Sequence, residues 1–281
     1  MSKQLTEPVV SVCIPSYEGA EFIGAAIESV LAQSFHNFEL IIIDDSSTDG
    51  TDRIVSNYND PRIKFLRNDR NLGPEGNWNR CIAEARGRYI KLLPQDDLLA
   101  PHCLARQVAV LEADTDERIA LVFCARTIFD SHGRTIMSRG YPKRRDGTVG
   151  SQSAIRTCLR RGANIIGEPG GVLFRKSLAN EVGGFDASIG YIIDLDYWFR
   201  LLLRGNAYYL TEKLVSFRVS SGSWSVAIGN GQGKDFQHFV ARAATNPAFG
   251  IGRIDIIAGK VMGWTNNLLR MCVYQYILKT K

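Results

Sequence analysis

The chain has 281 residues, 45% of them hydrophobic and 22% charged, with a net charge of +5. This composition excludes a disordered or fibrous chain, and so mild a charge gives no ground for nucleic acid as a partner, although it suits an anionic ligand or a membrane surface. The length suits one large domain, or a domain with an appendage.

In chain order, Val9 to Ile14 is an apolar, β-branched run ended by Pro15 and predicts a strand buried on both faces. Ser16-Tyr17-Glu18-Gly19 makes the turn at its carboxyl end. Ile23, Ile27, Val30 and Leu31 then repeat at helical spacing. Phe38 to Ile43 predicts a second strand, stopped by Asp44-Asp45-Ser46-Ser47, and Thr48 to Tyr58 the next helix. Ile63 to Leu66 is a third strand. A polar loop leads to a helix with Trp78, Cys81, Ile82 and Ala85 on one face, closed by Gly87 before a strand at Tyr89. Four strand–helix alternations imply right-handed βαβ units and a parallel sheet covered on both faces.

Beyond Pro101 a helix carries Leu104, Val108 and Leu111, and Ile119 to Phe129 reads as a strand ending in the hairpin-type turn Asp130-Ser131-His132-Gly133. Arg139 to Gly147 is a basic loop, either a solvated surface or the wall of a cleft. Gly170 to Phe174 is a short strand. Asp194 starts an amphipathic helix with Leu195, Trp198, Phe199 and Leu202 inward and Gly205 at its end. From Ser220 the composition shifts to Ser and Gly, and Ile251 to Lys281 predicts a helix in which apolar and aromatic residues alternate with Lys260, Arg270, Lys279 and Lys281. Such a helix docks on its own domain or lies on a membrane. These readings divide the chain into a domain at 1–225 and a helical extension at 226–281.

The six cysteines (Cys13, Cys81, Cys103, Cys124, Cys158, Cys272) show no CxxC or zinc-like spacing and read as reduced core thiols. The N-terminal MSKQLTEP lacks the apolar core of a signal peptide, and no run is long and apolar enough to span a bilayer. The expected location is the cytoplasm, with peripheral contact at the inner face of the membrane as the extension's second reading.

The chemistry concentrates in KLLPQDDLLAP, Lys91 to Pro101, where a buried strand stops and two adjacent carboxylates, Asp96 and Asp97, follow in the turn. Taken alone, such a pair is either a helix cap with a solvated neighbour or a place for a hard divalent ion. The first strand has no GxGxxG turn, and no Walker A loop occurs. Carboxylates at Asp44/Asp45, Asp96/Asp97 and Asp194/Asp196 stand instead. They cannot bind phosphate directly, but they can bind a metal that carries it, or accept hydrogen bonds from a base or ribose.

With those residues in view, Val10 to Thr51, Asn71 to Asp97, EPGGVLFRK (Glu168 to Lys176) and Gly183 to Gly205 together resemble the family 2 glycosyltransferases, which have the GT-A fold. The resemblance covers roughly residues 8 to 220. It implies an α/β, mostly parallel, nucleotide-diphospho-sugar-binding sheet flanked by helices, followed by the C-terminal helical extension. It further implies that Pro15, Ser16, Tyr17 and Glu18 form the nucleotide turn, with Tyr17 packing on the base. Asp45 would accept a hydrogen bond from the base, supported by Asp44. Asp96 would meet the ribose or the metal's water shell, and Asp97 would ligate Mn²⁺ or Mg²⁺ at the diphosphate. Asp194 matches the catalytic base, while Glu168, Pro169, Gly170 and Asp196 fall on the acceptor side. The implied partners are a nucleotide-diphospho-sugar donor and a glycan or lipid-linked acceptor, and the implied reaction is an inverting transfer in bacterial surface polysaccharide assembly.

The pattern departs from the family at Gln95, where an amide replaces a usual acid, and at Asn77-Trp78-Asn79, where many relatives have a central arginine; Trp78 reads as a core residue. Ser220 stands near the place of a metal-reaching histidine, for which His238 is the candidate substitute, and Glu18 stands where relatives often have Asn. Two other classes remain open on sequence: a sugar-phosphate nucleotidyltransferase, which should carry a Gly-rich phosphate loop after the first strand, and a non-catalytic sugar-nucleotide or glycan-binding module.

Overall fold

A computed structural model describes residues 7–220 and 231–279. The first four strands, β1 (Val10–Ser16), β2 (Phe38–Asp44), β3 (Ile63–Arg67) and β4 (Tyr89–Leu92), are joined by helices α1 (Ile23–Leu31), α2 (Thr51–Ser56) and α3 (Gly73–Glu84). They pair in the order β3-β2-β1-β4, all parallel. Strands β1 and β2 are buried throughout, which is why their sequences are unbroken apolar runs rather than alternating ones. Pro15 does not end β1: it pairs opposite Ile43, and the strand runs on to Ser16, level with Asp44.

The sheet then changes character. After the two-residue β5 (Leu98–Leu99) and α4 (Cys103–Ala113) come the long β6 (Ile119–Asp130), β7 (Thr135–Arg139) and β8 (Gly147–Val149). Helix α5 (Ser151–Arg161), a single turn at Pro169–Gly171, β9 (Val172–Arg175) and α6 (Lys176–Val182) follow. Then come a kinked turn at Ala187–Ile192, α7 (Ile193–Leu202), β10 (Asn206–Val219), α8 (Gly231–Thr245) and α9 (Arg253–Lys279). Strand β9 lies between β4 and β6, antiparallel to both, while β6 and β10 are parallel. Because the chain enters β9 from the turn at Pro169–Gly171, at the carboxyl end of β4, β9 has to run back along its neighbour. The result is a mixed sheet with a parallel half, β3-β2-β1-β4. The expected hairpin at Asp130–Gly133 joins β6 to β7.

One face of the sheet packs on α1, α2 and α4 through Ile23, Ile27, Val55, Leu104 and Leu111. The other packs on α3 and α5 to α8 through Cys81, Ile155, Ala179, Trp198 and Phe239. Each such aliphatic or aromatic side chain contributes about 1.5–3 kcal/mol when fully buried. The five cysteines whose side chains are described are buried and free.

Helices α5 and α8 and strand β10 carry no mark in the predicted elements above. The C-terminal helices fasten to α7 and α5: Phe199 meets Phe239 and Phe249 with ring centroids 5.1 and 5.5 Å apart. Gly162, left-handed at φ 62°, closes α5 where an added Cβ would lie 2.4 Å from the carbonyl carbon of Met262, so only glycine allows α9 so close. The Ser/Gly-rich stretch after Ser220 lies at 221–230, outside the described residues.

Candidate active site

The level ends of β1 and β2 bring two turns together. Asp45 N–H donates to the Ser16 carbonyl at 2.7 Å. The buried Asp44 carboxylate accepts from the Ser47 N–H at 3.1 Å and from the Ser47 hydroxyl, and lies 3.5 Å from Arg67, so it braces the second turn. The Asp45 carboxylate accepts from Asn68 Nδ2 (2.6 Å) and from the Leu72 and Gly73 N–H groups (both 2.9 Å), which fixes the start of α3. A carboxylate offers about four lone-pair directions, so one remains for a ligand.

Glu18 and Ser46 sit in the left-handed region at φ 48° and 66°, facing each other across these turns. That conformation favours Asn over Glu, which accounts for the residue that relatives often place there. In this chain Glu18 is held by its own contacts: its carboxylate accepts from the Thr48 N–H at 2.9 Å and its N–H donates to Ser47 Oγ at 2.9 Å. Tyr17 leaves its ring half exposed at the mouth of the site.

Gln95 explains the missing acid. Its Oε1 accepts from Ser16 Oγ (2.6 Å) and the Tyr17 N–H (2.9 Å), and its Nε2 donates to the Tyr17 carbonyl (2.9 Å). A carboxylate could not make the last bond, so the amide is the group that clamps this turn to the Asp96-Asp97 loop.

Asp97 is fully buried. Its Oδ1 accepts from the Arg218 N–H at 3.0 Å, and its Oδ2 has no hydrogen-bond partner among the described residues. Burial first, then the charges of Asp96 and Glu168, push the Asp97 carboxyl well above the ordinary range; burial raises Asp96 as well. Arg218 holds the loop: its Nε donates to the Asp96 carbonyl at 3.0 Å, and its guanidinium lies between the Phe22 and Phe129 rings at 4.6 and 4.3 Å. A buried carboxylate oxygen left without a partner by the described residues fits a divalent ion.

The turn at Glu168 to Gly170 lies directly against this loop. A Cβ added at Gly170 would be 3.2 Å from Leu93 and Val215 and 3.5 Å from Asp97 Oδ2. Glu168 precedes it and pairs with Arg126, a buried cation in the middle of β6. Asp194, at the start of α7, accepts from the Leu195 N–H at 2.7 Å and from Asn164 Nδ2 at 2.8 Å. Asn164 also donates to the Gly167 carbonyl and accepts from its N–H at 2.9 and 2.8 Å, and Trp198 Nε1 donates to the same carbonyl at 3.1 Å. Burial and then the Glu168 charge raise the Asp194 carboxyl to about 7. Asp97, Glu168 and Asp194 therefore share one electrostatic space, although the loops that carry them are far apart in sequence.

Asp196 is not part of that group. It is buried on the inner side of α7 and pairs with Arg200 at 2.8 Å, which in turn donates to the Val182 and Gly184 carbonyls. Trp78 packs edge-on to Phe185 at 5.1 Å, as its helical spacing predicts. Asn77 and Asn79 bond backbone: Asn77 to the Ile43 carbonyl, Asn79 to Phe185. His238 is exposed on α8, and among the described residues no group of three or more His, Cys, Asp or Glu is placed to hold a metal. In the basic loop, Tyr141 and Lys143 are anchored while Arg144 and Arg145 stay exposed.

Asn164, Arg126 and Arg218 carry no role in the sequence motifs, and Gln95 enters them only as a departure from the usual acid. The one available signal was Arg126, a lone cation in an apolar strand, which requires a buried partner.

The sequence model of glycosyl transferase family 2 matches residues 11–181. The chain belongs to glycosyltransferase family 2. Among curated relatives, MT1568 of Mycobacterium tuberculosis, an uncharacterized protein, is 32% identical over 214 residues, covering 74% of this chain and 66% of its own. The chain thus spans about two thirds of that relative's length. WfgD of Escherichia coli, named a UDP-Glc:alpha-D-GlcNAc-diphosphoundecaprenol beta-1,3-glucosyltransferase, is 38% identical over 103 residues, covering 37% of this chain and 41% of its own. The GT-A fold is shared with the mannosyltransferase PcManGT of Pyrobaculum calidifontis, solved with GDP-Man and Mn²⁺: the TM-score is 0.64 at 18% identity, covering 98% of this chain and 76% of that one.

Proposed function

We propose that this family 2 member transfers a sugar, with inversion, from a nucleotide-diphospho-sugar to a hydroxyl of a glycan or lipid-linked acceptor in bacterial surface polysaccharide assembly, in the cytoplasm. The supporting observation is the convergence of Asp97, with its orphaned buried oxygen, Glu168 and Asp194 beside the turn that Gln95 clamps. The names of WfgD and of PcManGT with its donor and Mn²⁺ support the donor class and the metal.

On this reading Tyr17 stacks on the base, the remaining Asp45 lone pair accepts a base N–H, and Asp96 meets the ribose. Pro15, Ser16 and Glu18 shape the turn around them. Asp97 Oδ2 would hold Mn²⁺ or Mg²⁺ together with diphosphate oxygens. Such a cation supplies charge neutralisation for the leaving diphosphate. Asp194 takes the proton of the attacking hydroxyl, and a carboxyl raised to about 7 is suited to that task near neutral pH. One base opposite the leaving group gives a single displacement and hence inversion. Glu168, Pro169 and Gly170 form the acceptor-side wall. Residues 1–225 would be the transferase domain and 226–281 its extension.

The test is release of nucleoside diphosphate from UDP-, dTDP- and GDP-sugars with glycan acceptors, on wild type and Asp194→Asn. The reading requires release that Asp194→Asn lowers by about 10²–10⁴-fold while donor binding persists. Wild-type release by the variant contradicts it. Pyrophosphate release with a sugar phosphate and nucleoside triphosphate would favour the nucleotidyltransferase reading instead.

A further inference from the structure

Helix α9 has two unlike faces. Gly259 and Gly263 face inward against Leu159, Val240 and Phe236, and Asn266 donates to the Arg161 and Gly162 carbonyls at 2.6 and 3.2 Å. The opposite face is apolar and open. Ile254, Ile257, Val261, Trp264 and Leu268 follow one another at steps of three and four residues, and all are exposed, Ile254 by 74% and Trp264 by 62%. Five large apolar side chains in one row along a helix form a docking surface rather than scattered exposed residues.

The charge around the row identifies what it meets. Arg253 and Lys260 lie exposed on the border nearer α8, where Gln237 Nε2 donates to the Lys260 carbonyl. On the border nearer α5 stand Arg160 and Arg161. The only acids of α5, α8 and α9 are Asp235 and Asp255. Asp235 accepts from the Tyr191 N–H at 2.9 Å, and Asp255 is buried against Arg160 at 2.5 Å. A pairing of two copies through this row would set cation against cation, with no fully exposed acid on the described residues of α5, α8 or α9 to relieve it. An anionic lipid surface takes both the apolar row and its cationic borders. Among the described residues no helix is long and apolar enough to cross a membrane, so the helix would lie in the interface plane with Trp264 at headgroup level.

We infer that the outer face of α9 is a binding surface for anionic membrane, which holds the site beside a bilayer. The inner face of α9 is packed against Gly162, two residues before the Asn164 that bonds Asp194, so a surface bound to the outer face would lie about one helix diameter, ~10 Å, from that segment. The inference stands on the helix alone and does not need the transferase reading.

The test is flotation of the full chain with phosphatidylcholine vesicles, with and without phosphatidylglycerol. Wild type should float with the anionic vesicles only. Trp264→Glu, and separately Arg253→Glu with Lys260→Glu, should weaken binding by about tenfold or more, with circular dichroism unchanged because all three side chains are exposed. Nucleoside diphosphate release with a water-soluble acceptor should be the same in wild type and variants, which separates loss of docking from loss of activity. Absence of binding to anionic vesicles overturns the inference, as does equal binding to neutral ones. A wild-type dimer that Trp264→Glu splits, without vesicle binding, overturns it in favour of a second copy.

Discussion

The two ends of the sheet are built by different means. In the parallel half, proposed to hold the nucleotide, β3-β2-β1-β4 follow one another through short helical crossovers, and the strands are apolar and mostly buried. Its site residues follow within a few positions of strand ends, because open α/β sheets place ligands there. In the other half, proposed to face the acceptor, β9, β6 and β10 come from distant parts of the chain, and buried polar groups hold the loops. Arg126 reaches Glu168, Asn164 reaches Asp194, and Arg218 reaches Asp96 and Asp97. A site built on strand ends tolerates change in the core behind it better than one suspended on a few buried polar contacts, since a half-satisfied buried network costs more than none.

Substitutions on the two sides should therefore differ in kind. The largest effect belongs to the acceptor half, where Asp194→Asn should remove about three orders of magnitude of turnover without removing donor binding. Arg126→Met should lower unfolding stability by about 2 kcal/mol, less than for a fully buried pair because Glu168 retains some contact with water. Denaturant titration measures this; an unchanged midpoint would show that the network does not hold this half together. In the nucleotide half, Gln95→Glu should weaken donor binding about tenfold with little change in stability, since it sets a carboxylate against the Tyr17 carbonyl. Calorimetry would show it, and unaltered binding would remove Gln95 from the site.

The smallest effect is a displacement of pH dependence. With Asp194 raised to about 7, turnover should fall about tenfold per unit of acidification below that point and level off above it. Glu168→Gln removes the second cause of the raised value, so the acid limb should move to lower pH. The sign for stability is opposite in sense: the folded state keeps a proton that the unfolded chain loses from about pH 4, so the stability linked to Asp194 is present at low pH and fades as pH rises towards 7. A limb that does not move in Glu168→Gln would deny the shared electrostatic space.

The same contrast governs what could be read from sequence. The nucleotide half was legible almost residue by residue, because buried parallel strands write unbroken apolar runs and Asp and Pro punctuate their ends. Strand β10 was not. Register shifts at Leu210 to Val215 leave Thr211, Glu212 and Lys213 exposed in its middle, which breaks the alternation that marks a strand. Helix α8 does carry Phe236, Phe239, Val240 and Ala243 at helical spacing, a signal set among enough polar residues and glycines to pass for loop. Asn164 and Arg218 have no local signature at all, because their partners are 30 and 121 residues away. The resemblance already gave Asp194 and Asp196 different roles, and the packing of α7 adds the partners, Asn164 for the one and Arg200 for the other.

On the proposed reading, Asp97 joins a cation to the donor's diphosphate. The direct measurement is calorimetric binding of UDP, dTDP and GDP with and without Mn²⁺, on wild type and Asp97→Asn. The account predicts that one nucleotide binds wild type in a metal-dependent way and that Asp97→Asn abolishes the metal dependence. Equal binding with and without Mn²⁺, or unchanged metal dependence in Asp97→Asn, would contradict it.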